Sequence, residues 1–345
     1  MSSQNVIPAK AGIQTLDPGF RQGDVLLPPD VAAPLSRSWT EAEAFEFCSA
    51  LTKSHYENFP VGSFLMPRAL QPAVHSLYAF MRTADDFSDE RRMPGDEQER
   101  LAYLNAWDRM LSACEAGRQP AGTAAGWHPI FIALKITLDT YQLPVQWLRD
   151  LLTAFKMDCT VRRYQTYEDL LRYCRYSANP VGRLILTLFG YRSEELYRLS
   201  DAICTGLQLA NHWQDVAVDL EKDRIYLPQE DLDRFGVSVS SLQKKICDAS
   251  FKQLLQFEVQ KTRAFFEQGR PLPGRVRGRL RLELGLTWKG GVRILDKIEA
   301  AGCDVFHRRP VVTKFDWLRL FISSVIPACR KPESGDGSPA DDRGG

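Results

Sequence analysis

The sequence predicts an all-α protein. No stretch shows a sustained alternation of apolar and polar residues, which argues against strands. Apolar residues instead recur at helical spacing, and helix start and stop signals flank the periodic segments, such as Thr40 with Glu43 three residues later and Gly117 after a long amphipathic run. Hydrophobic residues make up 44% of the 345 residues, enough for a globular core. The net charge of +1 gives no overall field that would recruit nucleic acid.

The periodic segments predict a series of helices, each justified by its own boundaries. Thr40 begins the first, Pro94-Gly95 ends the second, and Asp96 begins the third. Pro144 fits the first turn of the fifth helix, and Pro180 with Gly182 interrupts the sixth, either as a packing kink or as a bend that hollows a cavity. The predicted helices span 41–54, 68–93, 96–115, 128–141, 144–158, 167–189, 193–222, 238–269 and 273–302.

The chain ends differ in composition from the helical part. Residues 1–37 are rich in Pro and Gly and lack periodicity, which predicts a disordered extension, and residues 331–345 predict a disordered tail. Residues 38–312 form the predicted single helical domain. The segment 313–330 is an apolar helix too short to span a bilayer, which needs about 20 apolar residues. It either packs on the domain or lies at a membrane surface.

The cellular location follows from cysteines and from missing signals. The eight cysteines are scattered, without CxxC or zinc spacing, which is typical of reduced cytoplasmic thiols. The N-terminus lacks a secretion signal. We therefore expect a cytoplasmic protein that contacts the inner face of the membrane if the apolar segment lies on lipid. Arg275, Arg277, Arg279 and Arg281 predict a solvated or lipid-facing surface rather than a substrate site.

Two helices carry polar lines with two carboxylates each. In the first, Tyr78, Arg82, Asp85 and Asp89 follow one another at steps of four, three and four residues. In the second, Gln208, Asn211, Asp215 and Asp219 follow at steps of three, four and four. Both lines have apolar neighbours, so they face something other than open water. One acid pair alone is usually solvated surface, but two matching lines predict a four-carboxylate cage for Mg²⁺ ions bridging to a diphosphate.

Other chemistries lack their motifs. The sequence contains no GxGxxG after a strand, so no nicotinamide cofactor is predicted, and no Glu-x-x-His for a di-iron bundle. It contains neither a Gly-x-Ser-x-Gly elbow nor a P-loop. His75 and His212 lie on the acid-bearing helices as packed groups rather than ligands, since Mg²⁺ prefers oxygen. His55 lies in an aromatic-rich link and is a candidate substrate contact.

The segments ADDFSDE and NHWQDVAVDLEKDRIYLP resemble the two aspartate-rich signatures of the squalene/phytoene synthases, the head-to-head prenyl synthases. The resemblance runs from about Ser54 to about Pro310. It implies an isoprenoid-synthase fold with a central apolar cavity and two or three Mg²⁺ ions holding a diphosphate at its mouth. By motif position it implies that Asp85, Asp89, Asp215 and Asp219 are catalytic metal ligands.

The resemblance also implies roles for the residues around the aspartates. Tyr173 matches a catalytic tyrosine near the reacting carbons, and Arg309 matches a late arginine on the diphosphate, with Arg308 as a competitor. Together with the candidates of the aromatic-rich link, the predicted substrate-binding residues are His55, Tyr56, Asn58, Phe59, Tyr78, Arg82, Gln208, Asn211, Arg224, Tyr226 and Arg309.

Three departures resemble the hydroxysqualene synthases, a bacterial hopanoid-pathway branch of the family. Tyr56 and Asn58 stand where small hydroxyls are usual, YSANPVG replaces a valine-alanine-glycine turn, and Gly291 stands where some relatives carry a cavity tyrosine. This resemblance implies conversion of presqualene diphosphate to hydroxysqualene. On residue type alone, the polar side chains of Tyr56, Asn58, Ser177 and Asn179 are the candidates to hold the captured water. The alternatives are condensation of two farnesyl or geranylgeranyl diphosphates, or a non-catalytic assembly protein. The implied partners are a prenyl diphosphate and other squalene-pathway enzymes.

Overall fold

The computed structural model describes residues 27–54, 66–89, 96–118 and 127–325. Within these ranges the regular secondary structure is helical, and the one extended pairing is an isolated parallel bridge between Arg163 and Ile225. The all-α prediction is therefore confirmed. The chain divides into two compact units, residues 1–60 with 68–161 and residues 61–67 with 162–345, and the predicted domain 38–312 spans parts of both.

The first unit is built from five long helices whose predicted boundaries are mostly met. Thr40 and Glu43 form the expected capping box, in which the carboxylate of Glu43 accepts from the N–H of Thr40 at 2.8 Å. Asp96 caps the third helix by accepting from the N–H of Glu99, and Gly117 follows its end at φ 64°. The helices are α1 Glu41–Ser54, α2 Gln71–Ser88, α3 Glu97–Glu115, α4 Pro129–Tyr141 and α5 Val145–Thr160.

Aromatic side chains fill the core of the first unit. Trp107 of α3 is fully buried and lies 4.6 Å from the ring of Phe131 and 5.9 Å from that of Phe80. Its indole N–H donates to the carbonyl of Phe80, so the one polar atom of the ring is satisfied. Phe80 belongs to α2, and this packing therefore fixes the helix that carries the first acid line.

The second unit contains more and shorter helices than predicted. The helices Glu194–Gln214 and Ala249–Gly269 pack side by side, where Trp213 is buried and donates to Thr262 at 2.8 Å. The helices are α6 Tyr167–Ser177, α7 Asn179–Leu188, α8 Glu194–Gln214, α9 Val216–Leu220, α10 Gln229–Phe235, α11 Val239–Gln243, α12 Ala249–Gly269, α13 Leu272–Arg275, α14 Gly278–Ala300 and α15 Lys314–Val325.

Three predicted helices of this unit are interrupted, which corrects the sequence prediction. The helix 193–222 breaks at Asp215, whose backbone has φ −105° and ψ 11°. The helix 238–269 breaks before Asp248, which caps α12 by accepting from the N–H of Phe251. The helix 273–302 breaks at Arg277, and Gly278 follows at φ 63°, a conformation that glycine adopts without steric cost. Periodicity alone hid these breaks because apolar spacing resumes after each one.

Two further boundaries differ from prediction. Residues 29–36 form two short helical turns, so regular structure begins inside the predicted extension 1–37. The helix predicted over 68–93 is shorter and ends at Ser88, with Asp89 as its extended C-cap. In the described part of the chain, no helix combines the length and apolar character needed to cross a bilayer.

Candidate active site

The first acid line lies at the C-terminal end of α2. Asp85 and Asp86 belong to its last turn, and Asp89 caps it with its N–H on the carbonyl of Asp85 at 3.2 Å. The last turn contains no basic residue. Carboxylates placed at the negative end of a helix dipole destabilise it by about 0.3–1 kcal/mol each. This end of α2 therefore favours the binding of a cation.

Arg82 supplies part of the missing positive charge. One turn before the acids, its Nη1 donates to Asp85 at 2.9 Å and its Nη2 to Asp86 at 2.5 Å. The side chain is only 14% exposed. Among the described residues, its buried Nε has no hydrogen-bond partner. An arginine with an unused inward donor is suited to an anionic ligand such as a phosphate oxygen.

The second acid line also lies at a helix end. Asp215 is the C-cap of α8 and begins α9, which carries Asp219. The N–H of Asp215 donates to Asn211 and the N–H of Asp219 donates to Asp215, both at 2.9 Å. The spacing of four residues between Asn211, Asp215 and Asp219 thus survives the break in the helix. Asp215 stands at the negative end of the α8 dipole, but it is also the N-cap of α9, and Asp219 lies in the first turn of α9. The dipole argument therefore applies here only to the end of α8.

Arg309 binds Asp215 with two hydrogen bonds. Its Nε donates to Oδ1 at 2.5 Å and its Nη2 to Oδ2 at 3.1 Å, an arrangement that raises the pKa of Arg309. The buried side chain of Gln214 holds this loop in place by donating to the carbonyl of Pro310 at 2.5 Å. Arg308, the competitor weighed from sequence, is exposed.

Asp219 lines a small recess of the second unit. The recess measures about 10 Å³, close to the room that one water molecule requires. It brings together three residues predicted for the site, Asp219, Arg224 and Tyr226, with His212 beside them. The N–H of Arg224 donates to the carbonyl of Asp219 at 2.9 Å, so the two residues are joined through the backbone.

His212 and Tyr226, which line this recess, belong to a cluster of four aromatic rings. Tyr226 lies flat on His212 with ring centroids 3.7 Å apart, and Tyr164 and Tyr173 lie 5.6 and 5.9 Å from Tyr226. Burial lowers the pKa of His212 to about 3, so its imidazole is neutral at physiological pH. This confirms His212 as a packed group. Gln208, one turn before it, approaches its ring nitrogen at 3.4 Å.

The predicted break in the helix 167–189 is present at Ala178, between α6 and α7. Near it the Oγ of Ser177 is buried without a hydrogen-bond partner among the described residues, and Oδ1 of Asn179 accepts from Thr205 at 3.0 Å. A Cβ on Gly182 would come within 2.2 Å of the Oγ of Ser200, so this glycine permits close helix packing. The kink thus leaves a buried hydroxyl without a hydrogen-bond partner among the described residues, beside a tightly packed pair of helices.

The structure gives a packing reason for the glycine at position 291. A Cβ on Gly291 would lie 2.4 Å from the ring of Phe266, and one on Gly206 would lie 3.2 Å from it. The fully buried ring of Phe266 therefore occupies the space between these two glycines. The sequence prediction missed Phe266 because its role depends on helices far apart along the chain.

Some of the remaining predicted site residues lie in the described part of the chain and others lie outside it. His55, Tyr56, Asn58 and Phe59 lie outside the described residues. Tyr78 lies one turn before Arg82 on α2, and Asn211 is exposed on α8. The sequence prediction also missed Asp86 and Gln214. Asp86 could have been predicted because it follows Asp85 in the aspartate-rich segment ADDFSDE. No local sequence pattern indicated the contact that Gln214 makes with Pro310.

The donor set suits Mg²⁺ that arrives with a phosphate. Across the described ranges, no three His, Cys, Asp or Glu side chains are grouped closely enough to hold a metal ion by themselves. Mg²⁺ is usually bound by one or two carboxylates, several waters and substrate phosphates rather than by an all-protein cage. The carboxylate pairs at two helix ends fit this mode. The four-carboxylate cage stays a prediction.

Comparison with known proteins gives a consistent family assignment. The family model described as squalene/phytoene synthase matches residues 52–316. The chain is 35% identical to the hydroxysqualene synthase of Rhodopseudomonas palustris, over 74% of this chain and 84% of that protein. It is 34% identical to the 15-cis-phytoene synthase of Synechocystis sp., over 78% of this chain and 81% of that protein.

A solved structure agrees with the sequence comparison. The crystal structure of squalene synthase HpnC from Alicyclobacillus acidocaldarius superposes with a TM-score of 0.70 at 40% identity, covering 78% of this chain and 98% of that one. A dehydrosqualene synthase in complex with ligand, at 23% identity and a TM-score of 0.71, shares the fold over 83% of this chain and 96% of its own.

Proposed function

Because the chain belongs to the squalene/phytoene synthase family, we propose that it converts presqualene diphosphate and water to hydroxysqualene and diphosphate. The observation that carries this proposal is the charge arrangement at the ends of α2 and α8. Asp85 and Asp89 stand at the C-terminus of α2, and Asp215 caps the C-terminus of α8 with Asp219 four residues later. In each pair an arginine already contacts one aspartate. Such paired acids and arginines suit a metal-bound diphosphate.

The hydroxysqualene reaction is preferred on two grounds. A hydroxysqualene synthase is among the relatives with about one-third identity. The polar residues Ser177 and Asn179 flank the kink between α6 and α7, and the buried Oγ of Ser177 has no partner among the described residues. A buried hydroxyl without a partner favours binding of a water or a polar ligand group.

We propose that two or three Mg²⁺ ions bind with the diphosphate through Asp85, Asp89, Asp215 and Asp219. When bound, Mg²⁺ neutralises the leaving diphosphate and so lowers the barrier to ionisation. The protein's own cations act on the same group. The N–H at Nε of Arg82 makes no hydrogen bond among the described residues, so it can donate to the diphosphate. Arg224 and Arg309 lie beside the second acid pair. Charge-assisted hydrogen bonds from these side chains hold the departing anion.

The hydrocarbon part of the reaction needs an apolar, water-poor cavity. The carbon–oxygen bond to diphosphate breaks, leaving a cyclopropylcarbinyl cation that rearranges while aromatic faces such as Tyr78, Tyr173 and Phe59 stabilise its charge. One water then forms the new carbon–oxygen bond and releases a proton. Tyr56, Asn58, Ser177 and Asn179 are the proposed residues that hold this water.

Product analysis tests the proposed reaction. Purified protein is incubated with presqualene diphosphate and Mg²⁺, with and without NADPH, and the products are identified by mass spectrometry. We expect hydroxysqualene and released diphosphate in both cases. Asp219→Asn should lower diphosphate release at least about a hundredfold, since it removes a proposed ligand of the metal. Release that persists with EDTA, or an Asp219→Asn variant as active as the wild type, would contradict the proposal.

A second candidate function is head-to-head condensation of two prenyl diphosphates. It is favoured by the 34% identity to the phytoene synthase of Synechocystis sp.. Farnesyl and geranylgeranyl diphosphate are supplied separately with Mg²⁺ in the same assay. Accumulation of presqualene diphosphate or phytoene at rates above those of hydroxysqualene formation would favour condensation over the first proposal.

The water-holding role has its own test. Asn179→Ala and Tyr56→Phe each remove a polar group proposed to hold the water. We expect both variants to change the ratio of hydroxysqualene to other products while keeping diphosphate release. Unaltered product ratios in both variants would reject this role.

We also propose that the protein works at a membrane surface. A C30 diphosphate and its hydroxylated product are lipids, so an enzyme acting on them exchanges both with a bilayer. A peripheral contact is sufficient for this exchange, because the reacting group of the substrate lies at the headgroup level.

A further inference from the structure

The last described helix, α15 Lys314–Val325, is fixed to the second unit by one side only. Thr313 and Asp316 form a capping box, in which Oδ2 of Asp316 accepts from the N–H of Thr313 at 2.8 Å. The same carboxylate accepts from Nζ of Lys297 at 2.6 Å and from Nε of Arg293 at 3.1 Å. Asp316 is 8% exposed at its side chain, so the start of α15 is held firmly against α14.

The ring of Trp317, next to Asp316, faces the same helix α14. Trp317 lies against Gly290 of α14, where an added Cβ would come within 2.9 Å of the ring. Leu320, one turn further on, is half-buried. Asp316, Trp317 and Leu320 therefore define the inner face of α15.

The outer face of α15 is apolar and exposed. Phe315 is 74% exposed, the highest value among the large apolar side chains of the described residues, and Phe321 is 41% exposed. Val311, just before the helix, is 43% exposed. By sequence register, positions 318, 322 and 325 follow Phe315 at helical spacing and are Leu, Ile and Val. The sequence thus predicts an apolar stripe that begins at Phe315.

The charges around this stripe are positive. Arg319 is exposed one turn after Phe315, and Arg308 is exposed before the helix. The one acid of 305–325 that could offset them, Asp316, is turned inward and paired with two cations. The helix against which α15 packs also begins with exposed arginines, Arg279 and Arg281. An apolar stripe with basic neighbours is typical of helices that lie in the interface of an anionic membrane.

We propose that the outer face of α15, marked by Phe315, Arg319 and Phe321, is the surface that docks on anionic lipid. The two phenylalanine rings enter the headgroup boundary while Arg319 and Arg308 pair with lipid phosphates. A second copy of the chain is a poorer occupant, because a symmetric contact would bring the same cations of both copies together. The choice of lipid rests in part on the proposed function, which requires a lipid substrate.

Vesicle flotation with the full chain tests this surface. The vesicles contain phosphatidylcholine alone or equal parts of phosphatidylcholine and phosphatidylglycerol. We expect the wild type to float with the anionic vesicles, and Phe315→Ser/Phe321→Ser to lower the partition coefficient by at least about tenfold. Arg319→Gln should lower it by about fivefold on anionic vesicles and leave binding to neutral vesicles unchanged.

A matched control is Ile246→Ser, since Ile246 is 43% exposed elsewhere in the same unit. It should float like the wild type, and circular dichroism checks that all variants are folded. The proposal is overturned if the wild type does not float, or if the double serine variant floats equally well. It is also overturned if sedimentation velocity shows a dimer that the double variant dissociates without any loss of lipid binding.

Turnover in detergent micelles separates this inference from the proposed function. Phe315 and Phe321 have no place in the proposed chemistry, so the double variant should release diphosphate from micellar presqualene diphosphate at the wild-type rate. Flotation without turnover would reject the proposed function alone. Turnover without flotation would reject the docking surface alone.

Discussion

An arginine side chain pairs with one predicted metal-binding carboxylate in each unit. Arg82 contacts Asp85, and Arg309 contacts Asp215 through two hydrogen bonds. Each arginine is also a proposed ligand of the diphosphate. The metal ion and the guanidinium group therefore compete for the same aspartate oxygens. A bound diphosphate ends this competition because its negative charge binds both the metal ion and the arginine. We expect metal binding and diphosphate binding to strengthen each other.

The substitution Arg309→Gln tests this competition. Without diphosphate, the variant should bind Mn²⁺ about two- to fivefold more tightly, because a half-exposed ion pair stabilises by about 0.2–1 kcal/mol. With Mn²⁺ present it should bind pyrophosphate at least about tenfold more weakly, since it loses a charged hydrogen bond. Isothermal titration calorimetry measures both affinities.

Arg308→Gln is the matched control, because Arg308 carries the same charge one residue away and is exposed. Its affinities for Mn²⁺ and pyrophosphate should stay within about twofold of the wild type, the screened effect of a distant charge. Weaker Mn²⁺ binding in Arg309→Gln would show that the arginine supports the metal rather than competing with it.

At the scale of helices, the sequence predicted what local signals encode. The capping box of Thr40 with Glu43, the cap at Asp96 and the stop at Gly117 are each present as expected. The kink near Pro180 was also predicted, because proline acts on its own helix. The breaks at Asp215 and Arg277 were missed, since apolar periodicity resumes on their far sides.

Close helix contacts could not be predicted, because they join distant parts of the chain. Gly291 looked like the loss of a cavity tyrosine, but the ring of Phe266 from α12 fills that space. The bidentate pair of Arg309 with Asp215 joins residues 94 positions apart. Nothing in either local sequence specifies its partner.

Gly291→Ala tests the packing of these helices. The new Cβ would stand 2.4 Å from the ring of Phe266, so the variant should lose about 1–3 kcal/mol of unfolding free energy through overpacking. Urea denaturation measures it. Combined with Phe266→Leu the loss should be smaller than the sum of the single losses, because the two changes share one space.

Gly285→Ala, on the same helix, is the control. Its Cβ would meet only Pro273, at 4.0 Å. Replacing a helical glycine by alanine without a clash should stabilise by about 0.5–1 kcal/mol. Equal losses in Gly285→Ala and Gly291→Ala would mean that the contact with Phe266 is not the cause.

At the scale of the whole molecule, the acid lines were predicted but their setting was not. Sequence spacing placed the carboxylates on common helix faces, which the structure keeps through backbone bonds at Asp215 and Asp89. Spacing did not reveal that Asp85 and Asp89 lie at the C-terminus of α2 and Asp215 at that of α8, where the helix dipole adds to the demand for a cation. Binding of metal and diphosphate at these ends should therefore stabilise the folded protein.

Buried ionisable groups outside the site make stability depend on pH. Burial raises the pKa of Glu283 to about 7, and its Oε2 has no hydrogen-bond partner among the described residues. A folded-state pKa above the unfolded value of about 4.5 means that folding binds a proton. Stability linked to Glu283 is therefore full below about pH 4.5 and is lost as the pH rises through 7.

Glu283→Gln removes this charge while keeping the shape of the side chain. At pH 8 the variant should be more stable than the wild type by on the order of 3 kcal/mol at most, and at pH 5 the two should differ little. Urea denaturation at both pH values measures the difference. Glu267→Gln, whose carboxylate is 61% exposed, should show no such pH-dependent gain. If Glu283→Gln is equally stabilising at pH 5 and pH 8, ionisation of the buried Glu283 carboxyl does not lower the free energy of unfolding between these pH values.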